Sequence, residues 1–459
     1  MNTNFATRIR VALSDPSLRA NFRGAMDFLQ AKRRTAFSNE DEWTALQRQG
    51  KAIRQQTLHQ LPELLEQLEH NCLQNGINVH WAEDAEEARQ IFLTIAQEEN
   101  AKKVVKGKSM ATEEIGLNAF LEEHEIECIE SDMGEYIVQL AEETPSHIIM
   151  PAIHKNQAQI AELFQDKLHE ECDANNVDQL IGIGRKVLRQ KFKHADIGVS
   201  GVNFAIADSG TLCLVENEGN GRLSTTAPQT HIALMGIEKV IPNLSCLPTL
   251  QSLLTRSATG QHITTYLNLI TSPRKQDEHD GPLKVHLILL DNGRSRIAQD
   301  EALHTTLACI RCGACMNHCP VYTRIGGHAY GSTYPGPIGQ ILTPQLNGMD
   351  EAGELLDACS LNGACGEACP VGIELPELMR ELRQRKHHSK HTTYTEHIIW
   401  RVWKRINRHP KLYYAATRTL SRLGLSRTIF PKAWRQTRHT PMPAKQSLHQ
   451  QLKARKQRP

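Results

Sequence analysis

The sequence predicts an α/β body, then a short helical segment rich in cysteine, then a basic helical tail. Three observations predict it. Short apolar runs alternate with longer amphipathic segments between about 77 and 295, seven of the twelve cysteines fall between 309 and 369, and Glu381 to Pro459 holds 20 Lys and Arg against two acids. Strands alternating with helices argue for βαβ units and a largely parallel sheet. The formal charge of +2 for 459 residues therefore conceals a division, with +18 on the tail and, from 33 Lys and Arg against 49 Asp and Glu, −16 on residues 1–380. A hydrophobic share of 40% suffices for a core and excludes global disorder.

Residues 1–75 read as a helical lead-in, with Leu58, Leu61, Leu64, Leu65 and Leu68 at helical spacing. The α/β unit, 76–298, offers strands at 77–82, 102–107, 126–130 and 146–151, with amphipathic helices between the early ones. Residues 203–222 read as a strand, an Asp-Ser-Gly turn and a second strand, a hairpin inserted into the α/β pattern. Further strands are expected at 231–235, 239–242 and 284–290, with a helix through LPTLQSLLTR. Residues 299–385 form the cysteine-rich module and 386–459 the tail, which holds Trp400, Trp403 and Trp434.

No run of about 18 apolar residues exists, so no transmembrane helix is expected, and the N-terminal stretch lacks the apolar core of a secretory signal. The expected compartment is the cytosol. In its reducing milieu clustered thiols are metal ligands rather than disulfide partners. Cys72, Cys128, Cys172, Cys213 and Cys246 stand singly and read as inert thiols.

The first run, Cys309-Ile-Arg-Cys312-Gly-Ala-Cys315-Met-Asn-His-Cys319-Pro320, has the C-x2-C-x2-C-x3-C-P spacing of bacterial-type iron–sulfur sites. Three thiolates on a tightly wrapped loop can grip three irons of one cubane, while the fourth leaves in another direction. Zinc asks for four ligands, typically paired knuckles, and this run is too dense for it. The second run, Cys359-Ser-Leu-Asn362-Gly-Ala-Cys365-Gly-Glu-Ala-Cys369-Pro370, repeats the first except that Asn362 stands at the second ligand position. In two-cluster ferredoxins the fourth Cys serves the other cluster. That rule assigns Cys309, Cys312, Cys315 and Cys369 to a first [4Fe-4S] cluster, and Cys319, Cys359 and Cys365 to a second. An amide is a poor ligand for iron that prefers thiolate, so the second cluster is expected to be [3Fe-4S], or a [4Fe-4S] whose unique iron lacks a cysteine. The 39-residue spacer from Pro320 to Ala358 fits a helical ferredoxin-like module, and its Tyr322, His328, Tyr330 and Tyr334 read as shields for the clusters.

On GKSMATEEIGLNAFLEE (107–123), GVSGVNFAIADSGTLCLVENEGNGRLSTTAPQTHI (198–232), both cysteine runs and the basic tail, the chain resembles the lactate utilization protein B family over nearly its full length. The resemblance implies a lactate-utilization (LUD) domain with a fold similar to sugar-phosphate isomerases and coenzyme A transferases. It also implies an iron–sulfur electron-transfer subunit, working with other subunits to convert L-lactate to pyruvate and passing electrons singly toward the respiratory chain. The alternative is an enzyme proper, whose α/β domain binds a small hydroxy acid and uses the clusters directly. No catalytic residue can be assigned from spacing.

Three weaker candidates remain. Gly107-Lys108-Ser109, between a strand and a helix, could take an anion, or simply cap the helix. Glu216 to Arg222 could be a ligand loop with Arg222 as carboxylate clamp, or a Gly-rich turn. Gly182 and Gly184 make only a G-x-G fragment. In the tail, Ile399, Val402, Trp403 and Ile406 form an apolar stripe among arginines and lysines, with Pro410 expected to close the helix. It reads as docking on the acidic body, on partner subunits, or peripherally on the inner face of the membrane. Nucleic acid is not expected.

Overall fold

The central strand pairs are all parallel. In the computed structural model, which describes residues 4–388 and 394–423 and the isolated positions 444, 446, 448, 451, 452 and 455, β1 (Asn78–Ala82), β2 (Lys103–Lys106), β3 (Glu127–Glu130), β4 (Ile197–Gly201), β7 (Thr230–Gly236) and β10 (Lys284–Leu290) form a six-stranded sheet in the order β1-β10-β7-β4-β2-β3. Strand β7 is buried along its whole length, as a central parallel strand covered on both faces must be. Its alternate residues divide between two cores. Ile232 and Leu234 pack with Phe92, Leu121 and Val199, while Ala233 and Met235 pack with Leu64, Leu65 and Leu68 of the helix Leu61–Gln74.

The expected hairpin is present as β5 (Phe204–Ile206) and β6 (Thr211–Glu216), paired antiparallel. With β8 (Val240–Ile241) and β9 (Tyr266–Ile270) it makes a second sheet, ordered β8-β5-β6-β9. Phe204, Ile206 and Ile241 face the core that contains the cysteine loops, whereas Ala205, Leu212 and Val240 face the α/β core. This small sheet is thus the common wall of the two.

Two expectations change here. Residues 146–151 are not a strand but a run of turns and bends. The reason is local competition for the backbone: His147 Nδ1 accepts the Ile149 and Met150 N–H groups (3.0 and 3.2 Å), and Ser146 Oγ donates to the Pro151 carbonyl (2.9 Å). Strands β4 and β9 had no counterpart in the sequence pattern.

The lead-in helices Phe5–Ser14, Pro16–Ala36 and Glu40–His59 share a core with the cysteine module: Phe5, Phe22, Met26 and Leu29 are buried with Cys312, Cys315 and Cys319. Their polar side chains also reach it. Gln30 donates to the Asn317 carbonyl (2.6 Å), Arg33 to that of Ala368 (3.2 Å) and Gln47 to that of Cys369 (2.7 Å).

Met1–Arg383 and Gln384–Pro459 form separate units. Within the second, helices span Tyr394–Arg408 and Pro410–Leu423, so Pro410 opens a helix rather than only closing one. Ile399, Trp400, Val402 and Trp403 are exposed. Trp434 lies outside the described residues.

Candidate metal centre

The two cysteine runs trace the same backbone path fifty residues apart. Each starts from a 3₁₀ turn, His304–Ala308 or Gly353–Ala358, and ends in a four-residue helix, Ala314–Asn317 or Ala364–Glu367. Between them Arg311 and Leu361 are left-handed (φ 59° and 54°), followed by left-handed Gly313 and Gly363 (76° and 89°). The glycines are required at these turns because a Cβ there is strained. The Arg311 N–H points at Cys309 Sγ (3.4 Å) and the Leu361 N–H at Cys359 Sγ (3.3 Å); the Tyr322 and Ile373 N–H groups do the same for Cys319 and Cys369 (3.4 and 3.3 Å). Such donors favour thiolate.

An arginine anchors each turn. Arg54, buried in the helix Glu40–His59, donates to the Leu307 and Ala308 carbonyls before the first loop and to those of Glu238 and Val240 in the small sheet. Arg383 donates to the Leu356 and Cys359 carbonyls at the second.

Cys309, Cys312, Cys315 and Cys369 line one apolar pocket, walled by Ile148, Ile338, Val371 and Leu375. Burial and the neighbouring thiols push Cys312 and Cys315 far up, and Cys369 up to about 11. Four sulfurs gathered together, with no oxygen donor among them, are a fitting set for an iron–sulfur group, whose irons stabilise the thiolates. Cys319, Cys359 and Cys365 gather separately, and burial with the other two sulfurs pushes Cys365 up to about 12. Tyr330 is buried beside this trio with its hydroxyl unpartnered, a donor free for a sulfur acceptor. Tyr322 is buried too, its hydroxyl donating to the Ser146 carbonyl (2.6 Å). Tyr334 lies under Arg311, and His328 turns away to the Thr144 carbonyl.

The two sites differ at one corner. Ile310, Arg311 and Cys312 are buried, but the equivalent Ser360, Leu361 and Asn362 are exposed. The first site is closed, and the second opens to solvent where its fourth cysteine would be.

Beside the first site is a cavity of about 280 Å³ at the carboxyl ends of β2, β4 and β7. Gly107, Lys108 and Ser109 line it, with Ser109 capping the five-residue helix Met110–Glu114 and Lys108 Nζ donating to the Ile149 carbonyl (2.5 Å). Arg222 is exposed and not part of its lining, while Glu216 accepts the Gly221 and Arg222 N–H groups (2.8 Å each) and so shapes the loop. Gly182 and Gly184 lie within the helix Val177–Lys193, away from any phosphate-binding turn. Sequence reasoning passed over the lining cations Lys239 and Arg311, although Arg311 sits inside the first cysteine run. Beneath them is a buried network. Arg294 pairs with Glu238 and Glu114 (2.7 Å each), Arg311 also reaches Glu238 (3.2 Å), and Tyr334 donates to Glu114 (2.6 Å). Burial would raise Glu238, but the Arg294 and Arg311 guanidiniums hold it down at about 2. Burial and the Arg311 charge bring Lys239 down to about 8.

The five single cysteines belong to neither group of sulfurs, although Cys213 shares the core around them; burial alone pushes Cys72 and Cys213 up to about 12.

Residues 65–290 match the LUD domain, 305–373 the 4Fe-4S dicluster domain and 379–457 the C-terminal domain of lactate utilisation protein B. The chain is 46% identical to lactate utilization protein B of Bacillus velezensis over 83% of its own length and 80% of that protein's, and 41% identical to that of Shouchella clausii over 98% and 97%. The chain belongs to the lactate utilization protein B family. A further relative, the uncharacterized electron transport protein YkgF of Escherichia coli K12, is 42% identical over 90% of this chain and 86% of that one. The dicluster match encloses all seven clustered cysteines, and the mixed α/β body with its parallel sheet carries the LUD match. Among the described residues no helix is long and apolar enough to cross a membrane.

Proposed function

We propose that the protein is the two-centre electron carrier of a lactate-oxidising system, taking electrons singly and passing them toward the respiratory chain. Cys309, Cys312, Cys315 and Cys369 would hold a [4Fe-4S] cluster. Cys319, Cys359 and Cys365 would hold the second, as [3Fe-4S] or as a [4Fe-4S] whose fourth iron, at the Asn362 corner, has no protein sulfur. Such clusters supply one-electron redox chemistry. The chain's own residues do the rest: the N–H groups of Arg311, Tyr322, Leu361 and Ile373 stabilise the sulfurs, the apolar wall excludes water, and Arg33, Arg54 and Arg311 offset negative charge at the first site.

The observation that carries this reading is the crossed arrangement of the two loops, in which Cys369 joins the first group and Cys319 the second. The names of the relatives, lactate utilization and electron transport, support it. The α/β part is read as similar to sugar-phosphate isomerases and coenzyme A transferases. The exposed Trp400 and Trp403 side of the basic tail is read as the docking face for other subunits of the system, with peripheral membrane contact as the alternative. The test is anaerobic iron and sulfide analysis with electron paramagnetic resonance (EPR), followed by lactate-dependent reduction. Reduction only when partner subunits are added supports the carrier role. Reduction of the isolated chain by lactate overturns it in favour of an enzyme proper.

A further inference from the structure

The cavity beside the first site is lined by one cation with no ion pair among the described residues and by a second with one N–H left over. Lys239 lines it and makes no ion pair or side-chain hydrogen bond among the described residues. Arg311 gives Nη2 to Glu238 (3.2 Å), but its Nη1 is buried with no partner. The other charged groups around the cavity are committed elsewhere. Arg294 is bidentate on Glu114 (2.8 and 2.7 Å), Asp132 caps the helix Met133–Leu140, Glu216 holds two loop N–H groups, and Glu218 accepts the Met133 N–H (3.2 Å). Val202, Leu234, Met235 and Leu254 supply an apolar wall.

We propose that this cavity binds a small carboxylate, its head held between Lys239 and the free Nη1 of Arg311 and its short carbon chain against the apolar wall. A buried guanidinium N–H without an acceptor is costly, and a carboxylate oxygen removes that cost with a charge-assisted bond. Phosphate fits less well, because the Gly107-Lys108-Ser109 turn opens a helix of only five residues and half of the wall is hydrocarbon. A volume of about 280 Å³ is at the small end of ligand cavities. That size suits a short-chain acid.

The site also adjoins the first cluster pocket, because Ile148 and Arg311 line both. A carboxylate on Arg311 therefore alters the charge next to Cys309, and the first centre senses occupancy. This second part rests on the electron-carrier reading, whereas the binding itself does not.

The experiment uses the full chain, anaerobically loaded with iron and sulfide, titrated calorimetrically with L-lactate, pyruvate and inorganic phosphate, with EPR of the reduced first centre at saturation. L-lactate or pyruvate should bind saturably, phosphate far more weakly. Lys239→Met, which keeps the apolar stem, should weaken binding roughly ten- to a hundredfold at unchanged iron content, and Arg311→Gln, which also removes a charge beside Cys309, should weaken it by a similar factor whatever its iron content. The first-centre EPR signal should shift on binding in the wild type. Iron-replete protein that binds neither acid, phosphate binding as tight as carboxylate, or equal affinity in wild type and both variants overturns the proposal while leaving the clusters untouched. Carboxylate binding by a chain that fails to take up iron has the opposite meaning: the carrier reading falls and the site stands. A signal that does not move at saturation refutes the sensing step alone.

Discussion

Asn362→Cys should turn the second site into a copy of the first. The two loops share their left-handed pairs, Arg311 with Gly313 and Leu361 with Gly363, so a thiol at 362 starts from the backbone that already places Cys312. The magnitude is a count. With four irons in the first site and three firmly held in the second, mildly oxidised wild-type protein should hold about seven irons and eight sulfides per chain, since a three-iron cluster keeps all four sulfides. Asn362→Cys should raise this to about eight irons at unchanged sulfide. The reciprocal Cys312→Asn should lower it to about six, because each loop would then lack the same thiol. Iron and sulfide analysis gives the ratio, and EPR of the oxidised protein should show a three-iron signal that vanishes in Asn362→Cys and about doubles in Cys312→Asn. Eight irons in oxidised wild-type protein, with no change in Asn362→Cys, would refute the reasoning, since the exposed corner would then be closed by some other ligand.

Further outcomes follow from the same geometry. Under an iron chelator the second centre should be lost before the first, because Leu361 is 39% exposed whereas the equivalent Arg311 is 7% exposed; absorbance loss in a single phase would contradict this. Arg294→Met leaves the buried Glu114 carboxylate without its cation and Glu238 with Arg311 alone, and should cost about 3–5 kcal/mol. At ~2.1 cal/mol/K per residue over the unit ending at Arg383, that is a Tm lower by roughly 5 °C, and a shift under 1 °C would count against it. Acid should destabilise the fold through His147 and His231, whose burial brings them down to about 4 and about 3. Their folded pKa lies below the unfolded value of ~6.5, so the unfolded chain binds more protons, and stability present above pH ~6.5 drains away as pH falls toward 4. Each should cost roughly 2 kcal/mol at pH 5, and His147→Gln should flatten part of the slope in a Tm-against-pH series.

What could be read from the sequence was whatever depends on residue type at short spacing. The cysteine runs are of that kind, as are β7 and β10, whose continuous apolar runs mark central parallel strands. Strand β4 is just as central, but two of its five residues are glycine and its apolar signal is correspondingly thin. The 146–151 segment misleads because its apolar run is overruled by the caps of Ser146 and His147. The charged groups of the site were out of reach for another reason: Arg54 meets carbonyls 184 to 254 residues away, and nothing near it in sequence announces them. Arg311 was visible as a residue but not as the wall shared by two pockets.

The core around the cysteine loops joins the beginning of the chain to its later part, and this sets an order of events during synthesis. Phe5, Phe22, Met26 and Leu29 leave the ribosome early, but Cys312, Leu342 and Leu382, with which they are buried, follow some three hundred residues later. At ~5–20 residues/s that interval is on the order of 15–60 s. During it the lead-in helices can pack on Leu247, Leu250 and Leu253 of the middle region but lack the part of their core that the cysteine module supplies. Even the Phe5 amide waits for Glu354, 349 positions on. The lid of the cysteine module is thus made before its box, and a shortage of iron should show first as aggregation of newly made protein rather than as loss of mature protein.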